Sequence, residues 1–283
     1  MVVEKAYAKL NLSLNVLEKR LDGFHNLESI MVPVVDLYDT LYFYERDDDN
    51  IEIIDNNIKD NIIIKAAKAF QEKYHTKGVT IRLEKCIPLE AGLAGGSADA
   101  SATLRGLNKL YNLNFPLKEL EELALTLGSD TVFCLYNRAA LCRGRGEILD
   151  FIDFNFEIDL CILKPNFGLL TKDVFSKRVI NHNKVNSECL INALRENDIK
   201  LINSLVVNDL YLSAIKIEPK LQKIVDIFKE NNIDIHMSGS GSSLFVFNDS
   251  NIKSPKCLEK HLLENGIEYA YLSQHTIKNI VND

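Results

Sequence analysis

A glycine-rich stretch in the first half of the chain, Pro88 to Ala100, constrains the fold most strongly. It follows the alternating run 79–83, which predicts a strand, and it precedes an apolar stripe with helical spacing. Glycines lack a Cβ, so successive backbone N–H groups can turn toward an anion, and a helix N-terminus adds unpaired donors. The stretch therefore predicts a phosphate-binding loop, in which Ser97 caps the helix or contacts a phosphate-bound metal ion.

The spacing of these glycines excludes two better-known nucleotide loops. A Walker A loop ends in Gly-Lys-Ser/Thr, and no lysine follows Gly95 and Gly96. The dinucleotide fingerprint is G-x-G-x-x-G, whereas Gly92, Gly95 and Gly96 form G-x-x-G-G. A tight strand-to-helix turn that binds nothing is the alternative interpretation, and the loop alone leaves it open.

The length and charge of the chain limit its class. Its 283 residues are enough for two domains, and its apolar content of 46% and charged content of 26% are typical of a globular protein. A net charge of −7 argues against nucleic acid as a partner, but it leaves an anionic small molecule possible because local donors make a phosphate site.

The cellular compartment of the protein is indicated by features that the sequence lacks. No apolar run reaches the roughly 20 residues of a membrane span, and the first residues do not resemble a signal peptide. The six cysteines show no C-x-x-C spacing, which favours free thiols in a reducing compartment. We therefore expect a cytoplasmic protein without a membrane partner, in which Cys134 and Cys142 pack as small apolar side chains.

The N-terminal segment from Ala6 to Val16 alternates between apolar and polar residues, which predicts a strand with one buried face. Its polar face carries one cation, Lys9, two residues before the amide of Asn11. For an isolated segment, a solvated strand face is the expected interpretation of these polar residues.

A turn signal at Asp22-Gly23 places Phe24 and His25 side by side. Such a pair is more often structural than functional. At a turn, however, it can present a stacking surface and a hydrogen-bonding edge to a ring.

The acidic residue Asp130 follows a predicted helix over 117–127 and the helix-ending Gly128, and it precedes an apolar run that we predict as a strand. A carboxylate beside buried apolar residues requires a partner. The alternative interpretation is that Asp130 caps whatever element follows it.

The second half of the chain begins near Phe151, where the composition changes and a domain junction is predicted. A helix with Thr171 as its cap carries Phe175, which is either a core residue or an aromatic surface for a ligand. A second glycine turn, Gly239-Ser240-Gly241, leads into the predicted strand 244–247, and hairpin turns use the same residue types.

Three segments in this order resemble the motifs of the GHMP kinase superfamily, named for galacto-, homoserine, mevalonate and phosphomevalonate kinases. They are Ala6 to Leu12, the stretch from Pro88 to Ala100, and Met237 to Gly241. The resemblance implies an α+β, two-domain GHMP kinase fold. Residues 1–153 would form an N-terminal domain resembling ribosomal protein S5 domain 2 and carrying the ATP-binding glycine loop. Residues 154–283 would form a ferredoxin-like C-terminal domain.

The segments Asp22 to His25 and Gly144 to Glu147 narrow the resemblance to kinases of the non-mevalonate route to isoprenoid (terpenoid) precursors. Those enzymes use ATP and Mg²⁺ to phosphorylate the 2-hydroxyl of a methylerythritol that carries cytidine diphosphate. A GHMP kinase of another small alcohol and a non-catalytic nucleotide-binding sensor are the alternatives. The resemblance implies a small-molecule substrate, no nucleic acid or membrane partner, and a monomer or homodimer.

The resemblance also implies a role for each motif residue. Lys9 and Asp130 would be catalytic, with Asp130 accepting the proton of the substrate hydroxyl. Four residues would bind the substrate: Asn11, Phe24, His25 and Phe175. Ten residues would bind ATP: Pro88, Gly92, Leu93, Ala94, Gly95, Gly96, Ser97, Gly239, Ser240 and Gly241. No side chain is assigned to Mg²⁺, which would be held mainly by the ATP phosphates.

Three departures from the usual motifs leave open whether substrate affinity is altered. Thr131-Val132 stands where Val-Pro is common, and Ser242-Ser243 stands where Pro-Thr is common. Arg143 replaces a smaller or polar residue. None of these changes removes a group with a chemical role, so we expect catalysis to be retained.

Overall fold

A computed structural model describes residues 1–54, 61–177, 186–248, 252 and 254–280. Within these residues the strands are β1 Val2–Lys19, β2 His25–Glu45, β3 Ile51–Ile54, β4 Val79–Glu84, β5 Ala140–Gly144, β6 Ile148–Phe151, β7 Ile158–Pro165, β8 Val207–Asn208, β9 His236–Met237, β10 Leu244–Phe247 and β11 Tyr269–Ile277. The helices are α1 Ile62–Tyr74, α2 Gly95–Leu110, α3 Leu117–Leu127, α4 Thr131–Tyr136, α5 Thr171–Ser176, α6 Ser187–Glu196, α7 Ile199–Leu205, α8 Tyr211–Ile217, α9 Lys220–Glu230 and α10 Pro255–Glu264. The apolar stripe Ile63, Ala66, Ala67 and Phe70 predicts a helix from Asp60; that residue lies outside the described ones, and α1 begins two positions later.

The strands form one connected mixed sheet whose main path runs β3-β4-β2-β11-β7-β10-β9. Strand β2 is the hub of this sheet, because it pairs antiparallel with β1 over most of its length, with β4 near its C-terminal end and with β5 near its N-terminal end. Two segments that the sequence suggested as separate, the apolar run 30–35 and the strand 37–43, are both part of β2. The sheet thus joins the first half of the chain to the second through β11.

The strand prediction for the N-terminal segment is confirmed, but the solvated polar face is wrong. Lys9, Asn11, Ser13 and Asn15 are each at most 3% exposed. Both faces of β1 are covered because the glycine loop and the segment around Ser238 pack on the polar side. A buried row of polar side chains needs internal partners, and these partners assemble the site described below.

The glycine stretch takes the predicted strand–loop–helix form between β4 and α2. Small residues allow α2 to approach the sheet closely, since a Cβ on Gly106 would lie 2.3 Å from the Phe43 ring. The helix begins after Ala94, which holds a left-handed φ of 58° and makes no side-chain cap. Ser97 is therefore inside the first turn and is not the cap, which corrects one of its two predicted roles.

The segment after Asp130 is a helix, α4, and the predicted strand is wrong. Its β-branched and aromatic residues favour a strand locally, but the Cys134 amide donates to the Asp130 carbonyl at 3.0 Å and closes a helical turn. The Ser101 hydroxyl donates to the Thr131 carbonyl at 2.7 Å and fixes α4 against α2. Tertiary packing of four consecutive buried residues, Val132 to Leu135, outweighs the local preference.

In the second half of the chain, the strand predicted over 244–247 is confirmed as β10, and the amphipathic segment before it forms α9. Thr171 is the first residue of α5 rather than its cap, because the extended Leu170 precedes the helix and the Thr171 hydroxyl pairs with Ser240 at 2.9 Å. The buried apolar residues form two clusters, and β1 contributes to both. The division of the chain at 153/154 stays a prediction. No helix in the described ranges is long and apolar enough to cross a membrane.

Candidate active site

Lys9 and Asp130, which lie 121 positions apart in the chain, meet in space. The ammonium of Lys9 is 3.4 Å from Asp130 Oδ2, with the lysine side chain 4% exposed and the aspartate side chain 28% exposed. The same ammonium donates to Asn11 Oδ1 at 2.5 Å. Asp130 precedes α4 at the cap position, yet its carboxylate makes no capping hydrogen bond. The carboxylate is therefore available to the cavity, and the capping interpretation does not account for it.

A chain of hydrogen bonds fixes Asn11 and so orients the lysine. The Asn11 side-chain amide donates to Ser29 Oγ at 2.8 Å, and Ser29 Oγ donates to the Ser13 carbonyl at 2.5 Å. The Asn11 backbone amide donates to Ser238 Oγ at 3.4 Å. These partners satisfy the buried Asn11 side chain, and through it they hold the Lys9 ammonium in one place.

Hydrogen bonds join the three predicted motifs to one another. The Lys9 amide donates to the Leu93 carbonyl at 3.1 Å, and Ser238 Oγ donates to the Gly92 carbonyl at 3.1 Å. Gly92 has a φ of 72°, and a Cβ there would lie 2.3 Å from the Ser238 carbonyl oxygen. Glycine is required at this crossing because a side chain would push the two loops apart.

The loop before α2 has the geometry of an anion site. Ala94 turns the backbone into the helix, and no side chain caps the first turn, so the N–H groups of Gly95, Gly96 and Ser97 have no intrahelical partner. A Cβ on Gly96 would meet nothing closer than 3.8 Å. Unpaired donors, the positive end of a 16-residue helix and open space together fit a phosphate group.

One cavity of about 930 Å³ joins these elements, a volume at the upper end of small-ligand sites. The predicted catalytic and substrate-binding residues that line it are Lys9, Asn11, Phe24, His25, Phe175 and Asp130. The predicted ATP-binding residues that line it are Pro88, Gly92, Leu93, Ala94, Gly95, Gly96, Ser97, Gly239 and Ser240. Gly241 does not line the cavity, because it faces Leu169 and Met237 and only supports the turn.

An aromatic cluster also lines the cavity. The His25 and Phe175 rings stack with centroids 5.7 Å apart and an interplanar angle of 27°. Phe24 is half-exposed, with the Arg145 guanidinium 4.5 Å above its ring. Phe175 packs on the edge of the core but also lines the cavity, so it is not simply a core residue.

The charges around the cavity oppose the net charge of the chain. Five cations line it, Lys9, Lys19, Lys85, Arg145 and Lys172, against three carboxylates, Glu90, Asp99 and Asp130. The whole protein carries −7, so the excess of positive charge is local. Such a lining attracts anionic ligands.

Sequence reasoning missed a buried ionic cluster beside the glycine loop. The Lys85 ammonium contacts Asp39 Oδ2 and donates to Asp99 Oδ2 at 3.0 Å, and Asp39 is fully buried. Burial, together with the Asp39 carboxylate, raises the pKa of Asp99 to about 8, against the opposing effect of Lys85. The Asp99 Oδ1 atom is buried without a hydrogen-bond partner. The one available signal was Asp99 within the glycine motif, because Asp39 is remote in sequence.

Two buried cysteines lie near the Lys9–Asp130 pair. Cys134 and Cys142 are buried, and burial raises the pKa of each thiol far above its usual range, with the charge of Asp130 adding to the effect. Both therefore remain protonated and pack as small apolar side chains, as predicted.

Comparison with known proteins agrees with this geometry. The GHMP kinases N terminal domain matches residues 61–138, and the GHMP kinases C terminal domain matches residues 190–260. A curated protein from Macrococcus caseolyticus (strain JCSC5402), named 4-diphosphocytidyl-2-C-methyl-D-erythritol kinase, is 39% identical over 255 residues, covering 87% of this chain and 89% of its own length. The chain belongs to the GHMP kinase family. It is thus an ATP-dependent kinase with the two-domain α+β fold of that family.

Solved structures of family members have the same architecture. A crystal structure of 4-(cytidine 5'-diphospho)-2C-methyl-D-erythritol kinase superposes with a TM-score of 0.79 at 27% identity, covering 98% of this chain and 100% of that chain. Homoserine kinase from Cytophaga hutchinsonii ATCC 33406 superposes with a TM-score of 0.74 at 17% identity, covering 99% of this chain and 95% of its own. The second match shows the fold alone, so substrate identity has to be argued from the cavity.

Proposed function

We propose that this kinase transfers the γ-phosphoryl group of ATP to the 2-hydroxyl of 4-diphosphocytidyl-2-C-methyl-D-erythritol, in the non-mevalonate route to isoprenoid precursors. The observation that carries the proposal is the Lys9–Asp130 pair, 3.4 Å apart, within one cavity that is lined both by the glycine loop and by the rings of Phe24, His25 and Phe175. A relative that is 39% identical bears the name of this activity.

Asp130 acts as the base for the substrate hydroxyl in this proposal. Phosphoryl transfer depends on a positioned nucleophile and on charge stabilisation around the transferred group. The Asp130 carboxylate is partly exposed to the cavity, so it can accept the hydroxyl proton as the oxygen attacks phosphorus. The buried Lys9 ammonium pairs with the carboxylate and compensates negative charge at the reacting centre. Asn11 holds Lys9 and orients the alcohol.

The glycine loop binds the triphosphate. The N–H groups of residues 95–97 would donate to phosphate oxygens, and the Gly239–Ser240 turn would close over them from the other side. The donor set also fits Mg²⁺ carried on the phosphates, because Ser97 offers a hydroxyl in the cavity lining. When bound, Mg²⁺ would neutralise charge on the β- and γ-phosphates.

The aromatic cluster selects the cytidine group. Phe24 and Phe175 offer ring faces, and His25 lies between β1 and Phe175 with its ring in the cavity lining. Stacking of a base on aromatic side chains contributes about 1–3 kcal/mol per base. Neither homoserine nor mevalonate has a ring that this surface could bind, which disfavours the other small-alcohol kinases.

The test is ADP release by the purified chain with ATP, Mg²⁺ and each of four alcohols: the cytidine diphosphate substrate, mevalonate, homoserine and galactose. We expect turnover with the first alone. Faster turnover with another alcohol would refute the substrate assignment, and nucleotide binding without turnover on any alcohol would support a sensor. We further propose that the enzyme works in the cytoplasm as a monomer or homodimer.

A further inference from the structure

Arg145 lies at the tip of the β5–β6 hairpin, between the reacting pair and the aromatic cluster. Its guanidinium carbon is 4.5 Å from the centroid of the Phe24 ring. Its neighbour Gly146 packs on the other side, where a Cβ would lie 3.7 Å from Asp130 Oδ1. The residue thus spans the part of the cavity that connects the two ends of the proposed substrate.

The donors of this guanidinium are largely unused. Its only hydrogen bond within the described part of the chain runs from Nη2 to the Leu125 carbonyl at 3.4 Å, and the buried Nε has no partner. No described carboxylate forms an ion pair with it, whereas Arg143, two residues earlier, pairs with Asp150 and with Glu28. The side chain is only partly buried, but its Nε is a buried donor without an acceptor, so a ligand that supplies acceptors gains affinity there.

We propose that Arg145 binds the diphosphate of the cytidine-bearing substrate, an inference that rests on the proposed function. If the alcohol lies at Asp130 and the cytosine stacks on Phe24, the diphosphate that connects them passes the guanidinium. The planar fork of arginine matches two phosphate oxygens at once. Its contact with the Phe24 ring places the guanidinium beside the surface on which the base would stack.

The proposal is tested by calorimetry on the full chain, with ADP present to fill the glycine loop, using CDP and cytidine as probes. The variants are Arg145→Gln, Arg145→Lys and the matched control Arg143→Gln, whose side chain is outside the cavity lining. We expect Arg145→Gln to weaken CDP binding about 10- to 100-fold, the worth of a charge-assisted hydrogen bond, and to leave cytidine binding within about twofold. Arg145→Lys should retain part of the affinity, and Arg143→Gln should match the wild type.

Unchanged CDP affinity in Arg145→Gln would overturn the proposal, as would an equal loss for CDP and cytidine, which would mean that the arginine only supports Phe24. Unaltered ADP affinity shows that the variant is folded. If the proposed function is wrong, the result differs: the wild type itself would bind no CDP and would not phosphorylate the cytidine diphosphate alcohol. In that case the role of Arg145 would be refuted as well.

Discussion

Replacing Asp130 with asparagine removes one negative charge at the reacting centre and changes little else. Asparagine has nearly the same shape, and the Asp130 side chain makes no capping hydrogen bond, so α4 should begin as before. The amide oxygen can still accept a hydrogen bond from Lys9, but it cannot take the proton of a substrate hydroxyl.

The magnitude follows from the geometry of the pair. At 3.4 Å and an effective dielectric constant of about 20, the charges of Lys9 and Asp130 attract by about 5 kcal/mol before desolvation is counted. Loss of a general base usually costs about 10²- to 10⁴-fold in rate, or about 2.7–5.4 kcal/mol of activation free energy. From the general-base factor we expect kcat to fall about 10²- to 10⁴-fold while both KM values change by less than about threefold.

The assay is ADP release with the cytidine diphosphate substrate, measured for the wild type, Asp130→Asn and a control, Asp153→Asn. Asp153 is a suitable control because it is exposed, pairs with Arg138 and does not line the cavity. A kcat within about threefold of the wild type for Asp130→Asn would refute the role of Asp130 as base. A large rise in KM with kcat unchanged would instead make it a binding residue.

Three further outcomes are expected. Phe175→Ala should raise KM for the cytidine substrate about tenfold in steady-state kinetics and leave KM for ATP unchanged. Equal changes in the two KM values would show that Phe175 acts only as a core residue. In Gly92→Ala the new Cβ would lie 2.3 Å from the Ser238 carbonyl oxygen, so this variant should show no detectable ATP binding in calorimetry. Its free energy of unfolding should be lower than that of the wild type by at least about 1–3 kcal/mol. An ATP affinity equal to that of the wild type would contradict this prediction. Burial raises the pKa of Asp99 to about 8, so the native state holds a proton that the unfolded state releases near pH 4. The free energy of unfolding should therefore fall as pH rises from about 4 to 8, by at most about 1.4 kcal/mol per pH unit. Urea unfolding across that range should show a shallower slope for Asp99→Asn, and equal slopes would show that Asp99 is ionised beside Lys85.

Local sequence patterns correctly predicted the helices and strands whose positions depend mainly on their own residues. Helix α3 has the predicted bounds, because its amphipathic spacing and the following Gly128 fix its ends. The alternation in β1 predicted the strand, but only the fold shows that Lys9 is buried, since the covering residues come from the distant segment around Ser238. Where long-range packing competes with local preference, as in α4, the local prediction failed.

The candidate site was predictable to the extent that its residues lie in motifs. Every residue to which the family resemblance assigns a role lines the cavity, except Gly241. Asp39 and Lys85 could not be found in this way, because their pairing depends on a strand register that single-sequence patterns do not specify. Arg145 lies inside a recognised motif, but its position over Phe24 depends on how the β5–β6 hairpin meets the turn before β2.

The most direct test of the account is a crystal structure of the chain with the cytidine diphosphate alcohol and a non-hydrolysable ATP analogue. The account predicts the 2-hydroxyl oxygen within about 3.2 Å of an Asp130 carboxylate oxygen, with the γ-phosphate at the N-terminus of α2 and in line with that oxygen. A structure in which the hydroxyl contacts other groups and Asp130 is separated from it by more than one water molecule would contradict the account.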